Sequence, residues 1–301
     1  MIYTSSGKQA LSIICKYLFK EGFLEKKISE ILVPKFMGTW VYSCYNQNIY
    51  TSTQLSQNTK LIHLYHQFGI PQKTENLKNF AYDKKLKIIE DCAHVLSAKK
   101  NNQILTGNIG DYTMFSFSKF TDCLLLGGVS SRDENFMNFS KDQIQNSTKI
   151  LSFLNFILIK IYKVTNNKKF MDLNYSLYHH NSKPLNFLIR DYEKKIIEEK
   201  KILSKRYICL KEELGPYIPF DYIQLDELQC NFFPIVFDKN KIQKIHDKMN
   251  KYNIRLSEMY FDKNREMLKP NYVKTIGISP ASSNLNFEKS IDIIKNFLKN
   301  D

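Results

Sequence analysis

The chain has 301 residues, 43% hydrophobic and 25% charged, and Lys+Arg outnumber Asp+Glu by 44 to 30, a net charge of +14. This is the composition of a globular protein large enough for one big domain or a main domain with a smaller appendage, and it excludes a disordered or fibrous chain. The basic surplus is compatible with nucleic acid, a membrane surface or anionic small molecules. However, the lysines are scattered in ones and twos, with no arginine cluster, zinc spacing or aromatic RNA-binding box, so neither a nucleic acid nor a metal is expected.

From the N-terminus, Ser5-Ser6-Gly7 precedes Ala10, Leu11, Ile14, Cys15 and Leu18 at helical spacing, so Gly7 opens a helix. Ile31 to Pro34 reads as a short buried strand. Lys60 to Gln72 holds another, ended by Gly69 and Pro71. Ala81 to Lys85 belongs to a helix feeding a third strand, "LKIIED", and "YTMFSF" and "GGVSS" (Gly127 to Ser131) read as the fourth and fifth. Short apolar strands alternating with helices predict an α/β fold with a parallel sheet, whose functional groups collect at the carboxyl ends of the strands.

Beyond about residue 135 the pattern changes. Ile150 to Val164, "ILSFLNFILIKIYKV", falls short of the ~20 apolar residues of a spanning helix and is interrupted by lysine. It reads as a buried or interface helix, with a membrane-surface helix as the lesser alternative. Asp191 to Leu214 is a long charged helix, Cys230 to Phe237 a strand, Lys241 to Ile254 a helix, and Asn286 to Leu298 the last helix. The organisation expected is a large α/β domain over 1–135, a connecting helical segment over 136–190, and a long helix with a small α+β domain over 191–301. Cys15, Cys44, Cys92, Cys123, Cys209 and Cys230 form no CxxC pair and sit mostly in apolar stretches, as reduced cysteines do. With no signal peptide in the sequence, the cytoplasm is expected.

Two stretches carry chemistry. "IIEDCAHVLSAKK" (Ile88 to Lys100) ends an apolar run on Glu90-Asp91, with His94 three residues on; "GDYTMFSFSKF" (Gly110 to Phe120) adds Ser116 and Lys119 to the next. Singly, these are a helix cap, a core histidine, a space-filling serine and a solvated lysine. Together they fit pyridoxal phosphate. That cofactor needs a carboxylate at its ring nitrogen, an amine of lowered pKa for a Schiff base, and backbone N–H groups with hydroxyls for its phosphate. Asp91, Lys119, Ser116 and the turn Ser5-Ser6-Gly7-Lys8-Gln9 supply these types.

The order of these pieces resembles the DegT/StrS family of PLP-dependent nucleotide-sugar aminotransferases, which have the aspartate aminotransferase-like type I fold. "SSGKQAL" resembles the family's SGTxAL phosphate turn, "EILVPKF" its VLVPxF strand, and "LIHLYHQFGIPQ" its VxxxHxFGxPxD stretch. "IIEDCAHVLSA" is similar to IEDAAQAxGA, and "GNIGDYTMFSFSKF...GG" to GxxGDxxxFSFxxTKxxxxGxGG. The ordered match covers residues 4 to 131. The resemblance implies a three-layer fold with a mainly parallel sheet and a smaller C-terminal domain. It implies that Asp91 pairs with the ring nitrogen, His94 contacts the ring or its 3-hydroxyl, and Ser116 holds the phosphate with Gly7 and the N–H groups of Lys8 and Gln9. Lys119 becomes the Schiff-base lysine and proton shuttle, and Trp40 or Phe36 covers the ring. Glutamate as amino donor, a nucleotide-linked keto sugar as acceptor, a role in surface polysaccharide synthesis, and a homodimer follow from the same resemblance. A PLP-dependent sugar dehydratase or lyase, or a non-catalytic paralogue that binds a nucleotide sugar or a partner, are the alternatives.

The chain departs from the pattern in places. Strict spacing puts Thr121 where the family has its lysine, and a shortened turn restores Lys119. The phosphate turn begins almost at Met1, where the family has a preceding segment, so the chain reads as a shortened member. "YHHNSKPLNF" (Tyr178 to Phe187) stands in place of a GYNxRM motif.

Overall fold

The computed structural model describes residues 1–46, 48–120, 125–177, 182–218, 221–236, 238–254 and 256–299. They form two compact units. The first comprises Met1–Tyr65, Lys78–Ala93 and Gly107–Ile196; the second comprises His66–Leu77, His94–Thr106 and Ile197–Asp301.

The first unit is built on a seven-stranded sheet of β1 (Ile2–Thr4), β2 (Glu30–Leu32), β3 (Tyr50–Ser52), β4 (Thr59–Tyr65), β5 (Lys87–Asp91), β8 (Tyr112–Ser116) and β9 (Gly127–Ser131), in the order β1-β9-β8-β5-β4-β2-β3. Strands β3, β2, β4, β5 and β8 pair in parallel, while β9 runs antiparallel to both β8 and β1. The central strands are buried along most of their length, as parallel strands covered on both faces must be. In the register, Tyr65 stands opposite Asp91 and Asp91 opposite Met114, so β4, β5 and β8 deliver their last residues to one edge of the sheet.

Helix α1 (Gly7–Lys20) starts where Ser6 accepts the Gln9 N–H with its side chain, satisfying one of the donors that a helix start leaves without an intrahelical partner. Its buried stripe, including Leu11, Ile14 and Leu18, joins one apolar cluster with Leu61, Ile89, Met114 and Val129 from the sheet. A Leu→Ala change in such a cluster costs about 2–5 kcal/mol. Helices α2 (Thr39–Tyr45), α3 (Glu75–Asp83), α4 (Glu134–Gln145), α5 (Lys149–Thr165) and α6 (Lys168–Ser176) follow, and α7 (Asn186–Leu214) runs from the first unit into the second.

The second unit holds two three-stranded antiparallel sheets. One is β10 (Glu227–Cys230), β6 (Val95–Lys100) and β7 (Gln103–Ile104); the other is β11 (Phe233–Val236), β13 (Tyr272–Ile278) and β12 (Ser257–Asp262). Helices α8 (Lys239–Asn250) and α9 (Phe287–Lys299) complete it, Asp238 capping α8 through the Asn240 and Lys241 N–H groups.

Several expectations change in detail. The strand expected over Cys230 to Phe237 is two strands in different sheets, parted at Asn231-Phe232, and Phe237 lies outside the described residues. The long helix begins five residues before Asp191. Ile150 to Val164 is helical, but it is not a buried core helix: Ile150, Phe153, Leu154 and Val164 all stand exposed.

Candidate functional site

The acid pair divides its work because successive side chains on a strand point to opposite faces. Glu90, fully buried, turns to the face opposite Asp91. There it accepts the N–H groups of Gly107 (2.6 Å), Ile109 (2.8 Å) and Gly110 (3.2 Å) and the Thr113 hydroxyl (3.1 Å). It is a staple for the loop that leads into β8. Asp91 turns to the α1 face. Its Oδ1 accepts the Ala93 N–H at 2.8 Å and its Oδ2 meets His63 Nε2 at 3.1 Å. Behind it, His63 Nδ1 lies 2.8 Å from the Tyr45 hydroxyl.

All three side chains of this relay are buried. The chain of contacts fixes the histidine tautomer: an acceptor carboxylate requires a proton on Nε2, so Nδ1 accepts from Tyr45. Burial first, then the neighbouring Cys15 and Asp91, push the Tyr45 pKa well above the usual tyrosine value, so it keeps that proton.

Lys119 ends the short 3-10 turn Phe117–Lys119 that follows β8. Protein atoms crowd its ammonium and lower its pKa, while the Asp91 carboxylate opposes the shift, so Asp91 acts directly on this amine. The residue as a whole is nevertheless exposed. Thr121 lies outside the described residues.

Ser116 is buried at the end of β8, and a Cβ placed on Gly7 would come within 3.0 Å of the Ser116 Cβ and 3.2 Å of the Phe115 carbonyl oxygen. A Cβ on Gly127 would collide with the Ser6 backbone. Two glycines therefore let the start of α1 press against β8 and β9, and this brings the helix N-terminus beside the serine hydroxyl.

The turn is braced from a third direction. Gln9 Oε1 accepts the Ser5 N–H (2.7 Å) and hydroxyl (2.9 Å), Gln9 Nε2 donates to the Ser182 carbonyl oxygen (2.7 Å), and the Ser5 and Ser182 hydroxyls meet at 2.7 Å. Gln9 is thus buried as a brace, and its own N–H already serves the Ser6 cap.

Lys8 differs from what its place in a phosphate turn predicts. Its Nζ lies 5.6 Å from the centre of the Trp40 ring. Its pKa is pushed down to about 7, first by burial and further by the charge of Lys119, while Cys44 acts in the opposite sense. Lys119 is therefore coupled electrostatically both to a second amine, Lys8, and to a carboxylate, Asp91. Trp40 is half-buried against the apolar cluster, and Phe36 is likewise half-buried with Lys35 Nζ over its ring at 5.6 Å.

His94 belongs to the second unit, where its carbonyl oxygen accepts the Asn231 N–H and its ring meets Phe68 edge-on at 6.3 Å. The "HQFG" stretch is structural in that same unit: Gln67 donates to the Tyr260 carbonyl oxygen and accepts the Asp262 N–H.

Asp91, Ser116, Lys119, Gly7, Lys8, Gln9 and Trp40 all lie in the first unit. His63 and Tyr45 were not among the candidates read from the sequence. The signal for His63 was a histidine in mid-strand between apolar neighbours, since a buried imidazole requires a partner. Tyr45 had no comparable signal.

Residues 49–123 match the model of the DegT/DnrJ/EryC1/StrS aminotransferase family. No curated protein matches the chain by sequence. Among solved structures, the chain is similar to a DegT DnrJ EryC1 StrS aminotransferase from Brucella abortus (TM-score 0.64, 13% identity, 98% of this chain and 85% of that one). It is also similar to Spr1654 of Streptococcus pneumoniae in its PLP form (0.65, 12%, 99% and 87%). DesI, solved in the presence of its TDP-sugar product, gives 0.60, 12%, 98% and 79%. At these identities the structural likeness establishes the fold, an α/β architecture with a mostly parallel sheet. Residues 49–123 are thus similar to the DegT/DnrJ/EryC1/StrS aminotransferase family, and the chain shares its fold with solved proteins along nearly its whole length.

Proposed function

We infer that the chain is a pyridoxal phosphate-dependent aminotransferase that moves an amino group from glutamate to a keto sugar carried on a nucleotide, in the synthesis of a surface polysaccharide. The observation that carries this reading is the nearness of Asp91 and Lys119 on the ends of adjacent strands: a buried carboxylate, held by His63 and Ala93, acts electrostatically on an amine of lowered pKa. The residues fit the cofactor. The glycine-lined start of α1 and the Ser116 hydroxyl form a cradle of phosphate character, and a carboxylate stands at the end of the neighbouring strand.

When bound, pyridoxal phosphate supplies an electron-accepting ring that makes a proton on the carbon next to the amine removable. Asp91 holds the ring nitrogen protonated, and His63 and Ala93 hold Asp91 charged and in place. Lys119 carries the carbonyl end of the cofactor and, once released, moves the proton between the two carbons at which the amino group is lost and gained. Burial lowers its pKa, in the direction that a base requires. Ser116 and the N–H groups of Gly7 and Lys8 anchor the phosphate, with the Lys8 side chain adding charge. Trp40 covers the ring. We place the enzyme in the cytoplasm as a homodimer. A basic surface suits an acceptor that carries a diphosphate.

The test is amino transfer itself. Protein loaded with pyridoxal phosphate releases 2-oxoglutarate from glutamate in stoichiometric amount, and Lys119→Ala abolishes the release. Cofactor binding without release from glutamate, alanine or aspartate contradicts the aminotransferase reading.

A further inference from the structure

Helix α5 has two faces of opposite construction. Its inner face is pinned by polar contacts: the Ser152 hydroxyl donates to the Lys183 carbonyl oxygen at 2.6 Å, and Asn174 Nδ2 donates to Asn155 Oδ1 at 3.1 Å, with Ser152, Asn155 and Asn174 all buried. Phe156 and Ile159 pack there against Leu125, Leu185 and Leu188. Rolling the helix to hide its outer face would orphan these buried polar groups, at about 1–3 kcal/mol each. The outward orientation is therefore fixed by the fold.

The outer face is apolar. Ile150 (76% exposed), Phe153 (54%), Leu154, Ile157 and Val164 (87%) recur at three- and four-residue spacing, forming one stripe along the helix. Helical periodicity puts Lys149, Lys160 and Lys163 together on one edge of that stripe, all exposed. The Lys160 stem folds along the helix so that its ammonium lies 4.9 Å from the Phe156 ring. Lys168 and Lys169 follow the left-handed cap at Asn166. From Lys149 to Met171 there are five lysines and no acidic residue. No helix among the described residues is long and apolar enough to cross a membrane.

We propose that α5 is a membrane-docking helix that lies in the headgroup layer of an anionic phospholipid bilayer. An exposed apolar stripe bordered by lysines is what such a layer receives: the aliphatic and aromatic side chains enter the acyl boundary, and the lysine stems follow them while their ammonium groups meet lipid phosphates. Charge decides against a second copy of the chain as occupant, since pairing α5 with its own equivalent sets lysines against lysines with no acid in either stretch. The stripe is too short to span, so the contact is peripheral and salt-sensitive. The assignment does not depend on the enzymatic reading. It predicts a protein held at the surface of the membrane.

The test uses the full chain in flotation with vesicles of phosphatidylcholine alone and of phosphatidylcholine mixed with phosphatidylglycerol. The wild type floats with the mixed vesicles, and added salt releases it. Lys160→Glu with Lys163→Glu weakens binding at least about tenfold, and Phe153→Ser with Ile157→Ser abolishes it. Circular dichroism and thermal melting verify that each variant is folded. Wild type that stays in solution with the mixed vesicles overturns the proposal, as does binding indifferent to phosphatidylglycerol or to either pair of substitutions. A serine pair whose effect is to turn a dimer into a monomer, with no vesicle binding by the wild type, assigns the face to a second copy instead.

Discussion

His63 on β4 holds Asp91 on β5 through a 3.1 Å contact between Nε2 and Oδ2, and the two are diagonal neighbours on one face of a parallel pair. The strand register therefore aims the carboxylate. His63→Phe removes one hydrogen bond to a charged group, worth about 1.5–3 kcal/mol, and loosens the hold on Asp91. The rate of amino transfer from glutamate should fall about tenfold to a hundredfold, while half-saturation by the sugar substrate stays unchanged. Tyr45→Phe acts one step further back and costs less. Steady-state kinetics on the three proteins give the order.

Glu90 serves the fold rather than the chemistry. Glu90→Ala orphans three backbone N–H groups and the Thr113 hydroxyl at once. We expect a loss of about 3 kcal/mol or more of stability in urea unfolding. Glu90→Gln, which keeps the acceptor oxygen, should lose less.

This division of the acid pair marks the limit of what the sequence revealed. Asp91, Ser116 and Lys119 could be read because they stand at the ends of strands whose apolar runs are themselves plain, and the helix start at Gly7 is signalled by Ser6 and the stripe behind it. The Tyr45–His63–Asp91 relay could not, because it joins residues from three elements by register. The strands β6, β12 and β13 were missed because their apolar positions are mixed with charged ones, as in "VLSAKK" and "YVKTIGI", and their pairing partners are remote in the chain. The outward face of α5 was hidden too: a mostly apolar segment does not reveal which of its sides is pinned by Ser152 and Asn155.

Gly127 has no room for a side chain beside Ser6. Gly127→Ala should shift the start of α1 away from Ser116 and weaken pyridoxal phosphate binding about tenfold or more. Trp40, the chain's one tryptophan, gives the readout: its fluorescence should be quenched by the cofactor, and the titration midpoint should move to higher concentration in the variant.

Lys8 makes stability depend on pH in the cofactor-free protein. Its folded pKa of about 7 lies below the unfolded value near 10.5. Between these values the unfolded chain binds more protons than the folded one, so stability rises as pH climbs from about 7 toward 10. Lys119, also shifted down, adds in the same sense. Lys8→Met should flatten the rise in urea midpoints over that window. It should also weaken binding of pyridoxal phosphate more than binding of pyridoxal, which lacks the phosphate.

The central claim is that Asp91 and Lys119 grip the same cofactor, and reductive trapping tests it most directly. Protein incubated with pyridoxal phosphate, reduced with borohydride and digested should carry one pyridoxyl adduct, on the peptide containing Lys119. Asp91→Ala should still trap the adduct but show no amino transfer. Failure to trap any adduct, or an adduct confined to Lys8, would contradict the account.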